Sequence, residues 1–195
     1  MRLILIRHGE TDWNPLGVFV GRTDLPLNAN GRAEAETLRP SLQRLIGDDT
    51  PDHVFVSPLA RARETASLVL PGQLATVSEL LREFEYGEYE GISSQLVQSI
   101  RPGWDIWSDG CPGGENLREV AARANRFLEE SVHGDTTIVV VSHGYFLRVL
   151  TALTLGLPAE MGRPLLLDTA SVSVVADVRG RRAVTLWNFT GRLAC

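Results

Sequence analysis

The chain has 195 residues, 44% of them hydrophobic, and a formal net charge of -5. That length suits one domain with a sizeable core, and the acidic balance argues against a general binder of nucleic acid or membrane surface, though not against a local cationic pocket. All 19 basic residues are arginine, which excludes Schiff-base chemistry and a phosphate loop built on lysine.

The first element is "RLILI", Arg2–Ile6, a short continuous apolar run of the kind a buried parallel strand needs. "GRAEAETLRPSLQRLI" follows with helical period, and Pro40 predicts a kink or a break. "HVFVS", His53–Ser57, is a second buried strand. "LARARETASLVL" is a helix stopped by Pro71-Gly72. Residues 83–114 are rich in Gly, Trp, Tyr and acidic side chains, and are expected to form a long ordered insertion over the sheet edge. "ENLREVAARANRFLEESV" is the clearest amphipathic helix, with Leu117, Val120, Ala121, Ala124, Phe127 and Leu128 at helical spacing. "TIVVVS", Thr137–Ser142, is a third strand, and "YFLRVLTALTLG" a helix ended by Gly156 and Pro158. "SVSVVADV" and "AVTLWNF", joined by "RGRR", predict a hairpin. Strands alternating with helices imply an α/β fold of three layers, α/β/α, around a mostly parallel sheet, with residues 1–195 as a single domain.

Two cysteines, Cys111 and Cys195, supply neither a disulfide framework nor a four-ligand zinc site. There is no apolar stretch near the ~20 residues of a membrane span. A soluble, cytoplasmic protein is expected, with no metal or cofactor, no nucleic-acid or membrane partner, and homodimerisation left open.

In open α/β sheets ligands bind beyond the carboxyl ends of the strands. Three strand ends carry chemistry here: Arg7-His8-Gly9, Ser57-Pro58 with Arg61 one turn onward, and Ser142-His143-Gly144. Brought to one rim, two arginines and two histidines repel one another unless a dianion joins them, and the same repulsion favours a neutral His8. A neutral imidazole has a lone pair for phosphorus, and Arg7 and Arg61 present planar forks to phosphate oxygens. Gly9 is expected to let the backbone pass close to the ligand. Rival nucleophiles fit less well. Cys111 and Arg118 stand as Cys-x6-Arg where a cysteine phosphatase loop needs Cys-x5-Arg, and no serine sits in Gly-x-Ser-x-Gly.

At this point the chain resembles the histidine phosphatase superfamily, with its phosphoglycerate mutase-like fold, over nearly its whole length. The resemblance rests on "RHGETDWN", "GRTDLPLNANGRAEA", "SPLARARETA" and "VVVSHGYFLRVL". It implies that His8 is the nucleophile that becomes phosphohistidine, that Arg7, Arg61 and His143 clamp the phosphate, and that Asn14 and the Gly144 N–H bind its oxygens. It places the proton donor at Glu83 in "LREFEYGEYEG", with Glu85 and Glu88 nearby. The implied activity is hydrolysis of a small phosphorylated metabolite, such as a sugar or organic-acid phosphate. "LREFEYGEYEG…WDIWSDGCPGGE" is most similar to a subgroup holding short acid-phosphatase-like members and the fungal sedoheptulose bisphosphatase. A cofactor-dependent phosphoglycerate mutase is the alternative, and a binding module without turnover a remote one. Mutases of the family resemble longer chains with an insertion carrying arginines and lysine; this chain has no lysine and a short 86–115 segment. Trp104, Trp107 and Tyr89 are either a substrate rim or packing under the insertion. Arg22 either meets a second anionic group of the substrate or is solvated.

Overall fold

The computed structural model describes residues 1–47 and 50–191; Cys195 lies outside them. Among the described residues, six strands form one sheet: β1 (Arg2–Arg7), β2 (His53–Val56), β3 (Thr76–Val77), β4 (Thr137–Ser142), β5 (Val172–Val178) and β6 (Arg181–Phe189). Their order is β3-β2-β4-β1-β5-β6. The first four run parallel, and β5 and β6 are antiparallel to their neighbours. The same residues hold six α-helices: α1 (Ala29–Ile46), α2 (Ala60–Val69), α3 (Ser94–Ile100), α4 (Ile106–Asp109), α5 (Leu117–Ser131) and α6 (Gly144–Thr154). The chain folds as three layers, α/β/α, around a mostly parallel sheet.

The apolar runs are explained by burial on both faces. Leu3, Leu5, Ile138 and Val140 pack with Phe127 of α5 and with Phe146 and Leu147 of α6. The alternate residues Ile4, Ile6, Val139 and Val141 pack with Leu38 and Leu42 of α1 and Val69 of α2. With period-two alternation, a strand covered on both sides needs apolar residues at every position. Among the described residues, no helix is long and apolar enough to cross a membrane.

Three details differ from the sequence reading. Helix α1 runs through Pro40 without interruption. Pro40 and Glu36, whose carbonyl loses its partner, are both exposed, so water can replace the lost bond. The strand β3 was not expected; two exposed residues carry no pattern to read. The hairpin turn takes only Arg179 and Gly180, both with positive φ (52° and 77°), so Arg181 and Arg182 belong to β6.

Residues 83–114 form a string of short helical pieces, α3 and α4 among them, around a cluster of aromatic rings. Phe19 stacks on Tyr86 with centroids 4.6 Å apart, and Trp104 meets Phe19 and Tyr89 edge-on. Backbone bonds from Phe19 to Ile92 (3.0 Å) and from Gly91 to Phe19 (2.9 Å) tie this segment to the loop after β1.

Helix α5 begins with a capping box. The Asn116 side chain accepts from the Arg118 and Glu119 N–H groups (3.0 and 3.2 Å), and Glu119 accepts from the Asn116 N–H (2.9 Å). Replacing Asn116 by Ala removes one half of the box; urea unfolding should show a loss of about 1 kcal/mol with an unchanged m-value.

Candidate active site

Strands β1 and β4 pair in parallel with Arg7 opposite Ser142. The next residues, His8 and His143, therefore leave the sheet side by side, their ring centroids 5.1 Å apart. The His8 N–H on the backbone still bonds to the Ser142 carbonyl (3.0 Å), which extends the pairing one residue past the strand.

His8 is almost fully buried. Its Nδ1 lies 2.7 Å from the Gly9 carbonyl oxygen. An acceptor there requires the proton on Nδ1, so the neutral ring keeps its lone pair on Nε2. Burial, reinforced by Arg61 and then Arg7, holds the imidazole well below its ordinary pKa, against the pull of the Gly9 hydrogen bond. His143 is fully buried too. Its Nδ1 accepts from Arg61 Nε (3.2 Å), so its proton sits on Nε2 and is donated to the Ser57 hydroxyl at 2.7 Å. Burial first, then Arg61 and His8, push its pKa well down.

Arg7 donates one Nη1 bond to the Leu167 carbonyl, while its buried Nε has no hydrogen-bond partner among the described residues. Gly144 lies against this guanidinium: a Cβ there would sit in van der Waals contact with it, 3.4 Å from Cζ and Nε of Arg7. The Asn14 Oδ1 accepts from the N–H and hydroxyl of Thr11 (2.7 and 2.9 Å), which leaves its Nδ2 donors for the cavity that Asn14 lines.

Glu83 is the buried cap of α6. Oε1 accepts from the N–H groups of Phe84 (2.9 Å) and Phe146 (3.0 Å), and Oε2 from that of Tyr145 (3.2 Å). His143 offers α6 no side-chain cap, so this distant carboxylate satisfies helix N–H groups that would otherwise lack partners. The Gly144 N–H, expected to face the ligand, is outside that cap. Behind Glu83, Arg123 grips the segment from below. It pairs with both oxygens of Glu115 (3.0 and 2.8 Å), donates to the Leu80 and Arg82 carbonyls (2.9 and 2.7 Å), and lies over the Phe146 ring. Sequence reasoning missed this brace, because Glu115 and Arg123 carry no motif of their own.

Arg7, His8, Asn14, Glu83 and Gly144 line one cavity of about 320 Å³, with Phe19, Tyr86, Tyr145 and Arg148 around it. Arg61 and His143 sit behind this lining rather than in it. Arg148, also missed from the sequence, lies over the rings of Trp107 and Tyr145 and donates to the carbonyls of Gly162 and Arg163. Trp104 and Trp107 are buried and outside the cavity lining, so they serve packing among the rings of Phe19, Tyr89 and Tyr145 rather than a substrate rim. Arg22 pairs with Glu85 at 2.5 Å. Gly9 owes its identity to a different neighbour than the ligand: a Cβ there would come within 2.4 Å of the Gly31 carbonyl oxygen at the start of α1.

A sequence profile of the histidine phosphatase superfamily (branch 1) matches residues 3–190. The chain belongs to that superfamily. An acid phosphatase of Mycobacterium tuberculosis is 34% identical, with 97% of this chain and 93% of that protein covered. The sedoheptulose 1,7-bisphosphatase of Saccharomyces cerevisiae is 33% identical over 82% of this chain and 69% of its own. A solved structure of the Rv3214 product from M. tuberculosis superposes with a TM-score of 0.90, at 34% identity and 98% coverage of each chain. Other histidine phosphatase relatives are called probable phosphoglycerate mutases. The phosphatase relatives make this family member a phosphoric monoester hydrolase.

Two neutral, buried imidazoles have a thermodynamic consequence. In the unfolded chain each titrates near 6.5; in the folded protein both titrate lower. Below about pH 6.5 the unfolded chain therefore binds more protons, and stability falls as pH drops through that window. The urea midpoint of the wild type should fall between pH 7 and pH 5 more steeply than that of His8→Asn.

Proposed function

We propose that the enzyme hydrolyses small phosphomonoesters without a metal, through a phosphohistidine at His8. The observation that carries this reading is the free lone pair on Nε2 of a neutral His8 in a cavity that Arg7 also lines, the Nε of Arg7 having no partner among the described residues. A phosphoryl group supplies what both atoms want: an electrophilic phosphorus for the lone pair and an anionic oxygen for the guanidinium.

In the first step His8 Nε2 attacks phosphorus in line, and the bond from phosphorus to the leaving oxygen breaks. Arg7 and the Asn14 Nδ2 donors stabilise the charge gathering on the remaining oxygens, with Arg61 and His143 behind them. Glu83 delivers a proton to the departing alkoxide. Its Oε1 already accepts two N–H bonds, but Oε2 accepts only one. That leaves one position on Oε2 for the proton. In the second step water attacks the phosphohistidine, Glu83 takes the water's proton, and the N–P bond breaks to release phosphate and restore the neutral ring.

Hydrolysis is favoured over return of the phosphoryl group to a second hydroxyl, since the chain has no lysine and a short 86–115 segment. The substrates we propose are small sugar or organic-acid phosphates, and the proposed setting is the cytoplasm.

His8→Ala should abolish turnover of p-nitrophenyl phosphate while leaving the fold intact. Quenched reactions of the wild type with ³²P-labelled substrate should show acid-labile label on His8, and none in the variant. Glu83→Gln should slow an alkyl phosphate by about 100-fold or more and p-nitrophenyl phosphate far less, because nitrophenolate leaves without a proton; equal slowing would move the acid elsewhere. Phosphorus NMR of 3-phosphoglycerate with added bisphosphoglycerate should show inorganic phosphate and no 2-phosphoglycerate.

A further inference from the structure

Arg61 is fully buried, and its orientation is set by a short loop rather than by an acidic partner. Its Nη2 donates to the carbonyls of Val20 (3.2 Å) and Gly21 (2.9 Å), and its Nη1 to that of Thr23 (2.9 Å). Together with the Nε bond to His143 (3.2 Å), these fix the plane of the fork. What holds the loop is a carboxylate from the inserted segment. Glu90 Oε1 accepts from the Gly21 N–H (2.9 Å) and the Thr23 N–H (3.0 Å), and Oε2 shares the Gly21 N–H (3.1 Å).

From this we propose that Glu90 is a positioning residue, which aims Arg61 by clamping the N–H groups of the loop whose carbonyls cradle it. The proposal rests on the phosphatase reading above. The same peptide run thus faces two ways, its amides toward Glu90 and its carbonyls toward Arg61. Bonds from N–H to a carboxylate are charge-assisted and stronger than neutral ones. The loop also has no slack at Gly21, where a Cβ would meet the Phe84 carbonyl oxygen at 2.5 Å and Glu90 Oε2 at 2.8 Å. If Glu90 is removed, the two amides lose their acceptor, the peptides can turn, and the cradle opens. The phosphate clamp is then misplaced while the fold stands. The neighbouring backbone bonds at Phe19, Gly91 and Ile92 remain.

Four variants, Arg61→Ala among them, test this on p-nitrophenyl phosphate, which responds little to the proton donor. Glu90→Ala should lower kcat/KM by on the order of 10- to 100-fold, the loss typical of a misplaced group near the chemistry. Glu90→Gln should stay within about threefold of wild type, because one amide oxygen can still accept both N–H groups, as Oε1 does now. Arg61→Ala combined with Glu90→Ala should be no slower than Arg61→Ala alone, since a residue that acts through Arg61 has nothing left to aim. Full turnover in Glu90→Ala, or a loss that multiplies that of Arg61→Ala, overturns the inference. Should Glu90→Ala fail to fold, Glu90→Asp carries the same cycle, because the shorter arm cannot span both amides. An inactive wild type would instead strike down the phosphatase reading, so the two failures are separable.

Discussion

The parallel, in-register pairing of β1 with β4 is the constraint on which the site depends. Arg7 stands opposite Ser142, so the residues that follow on each strand emerge at the same height. One residue of slip would carry His8 away from His143 and turn the two apolar runs to the wrong helical layers. Burial of Leu3 to Ile6 and of Ile138 to Val141 against both layers holds that register. The same packing that stabilises the sheet therefore places two imidazoles side by side.

Such a cluster is costly to assemble. A buried and a half-buried arginine beside two buried histidines repel, and desolvation penalises every charged form. The protein answers in two ways. The imidazoles remain neutral, as their lowered pKa values reflect. The guanidiniums are turned onto backbone carbonyls: Leu167 for Arg7, and Val20, Gly21 and Thr23 for Arg61. Carbonyl dipoles compensate cations in part without adding an anion that would compete with phosphate. Glu83, the one carboxylate in the cavity lining, is itself turned onto backbone N–H groups. Charge in this site is thus managed largely by oriented peptides, which need no reorganisation during a reaction.

The sequence carried much of this. Apolar runs that end in Arg-His-Gly and Ser-His-Gly announce both the buried strands and their functional ends, and the helical periods bracket every long helix. What it did not carry are the residues that act at one remove. Arg123 and Glu115 brace the Glu83 segment from positions with no recognisable spacing, and Glu90 reaches a loop nearly 70 residues earlier in the chain. Gly9 after a strand suggests clearance for a ligand, yet the atoms it clears belong to Gly31, a contact between segments that no local pattern encodes. Pro40 signals a break only if its side of the helix is unknown; on a wet face water can take up the carbonyl it leaves unpaired. Short-range rules read single elements well, and the unseen features all lie between elements.

The two chemical partners proposed for the reaction are mounted on different supports. His8 grows from the central strand, whose every neighbour is fixed by the core. Glu83 hangs on an irregular strip, held by an arginine from one helix and by the amides of another. Changes in that strip can reshape which alcohol departs while the phosphorus-binding floor stays as it is. A scaffold divided in this way lends itself to evolving new substrate preferences one surface at a time.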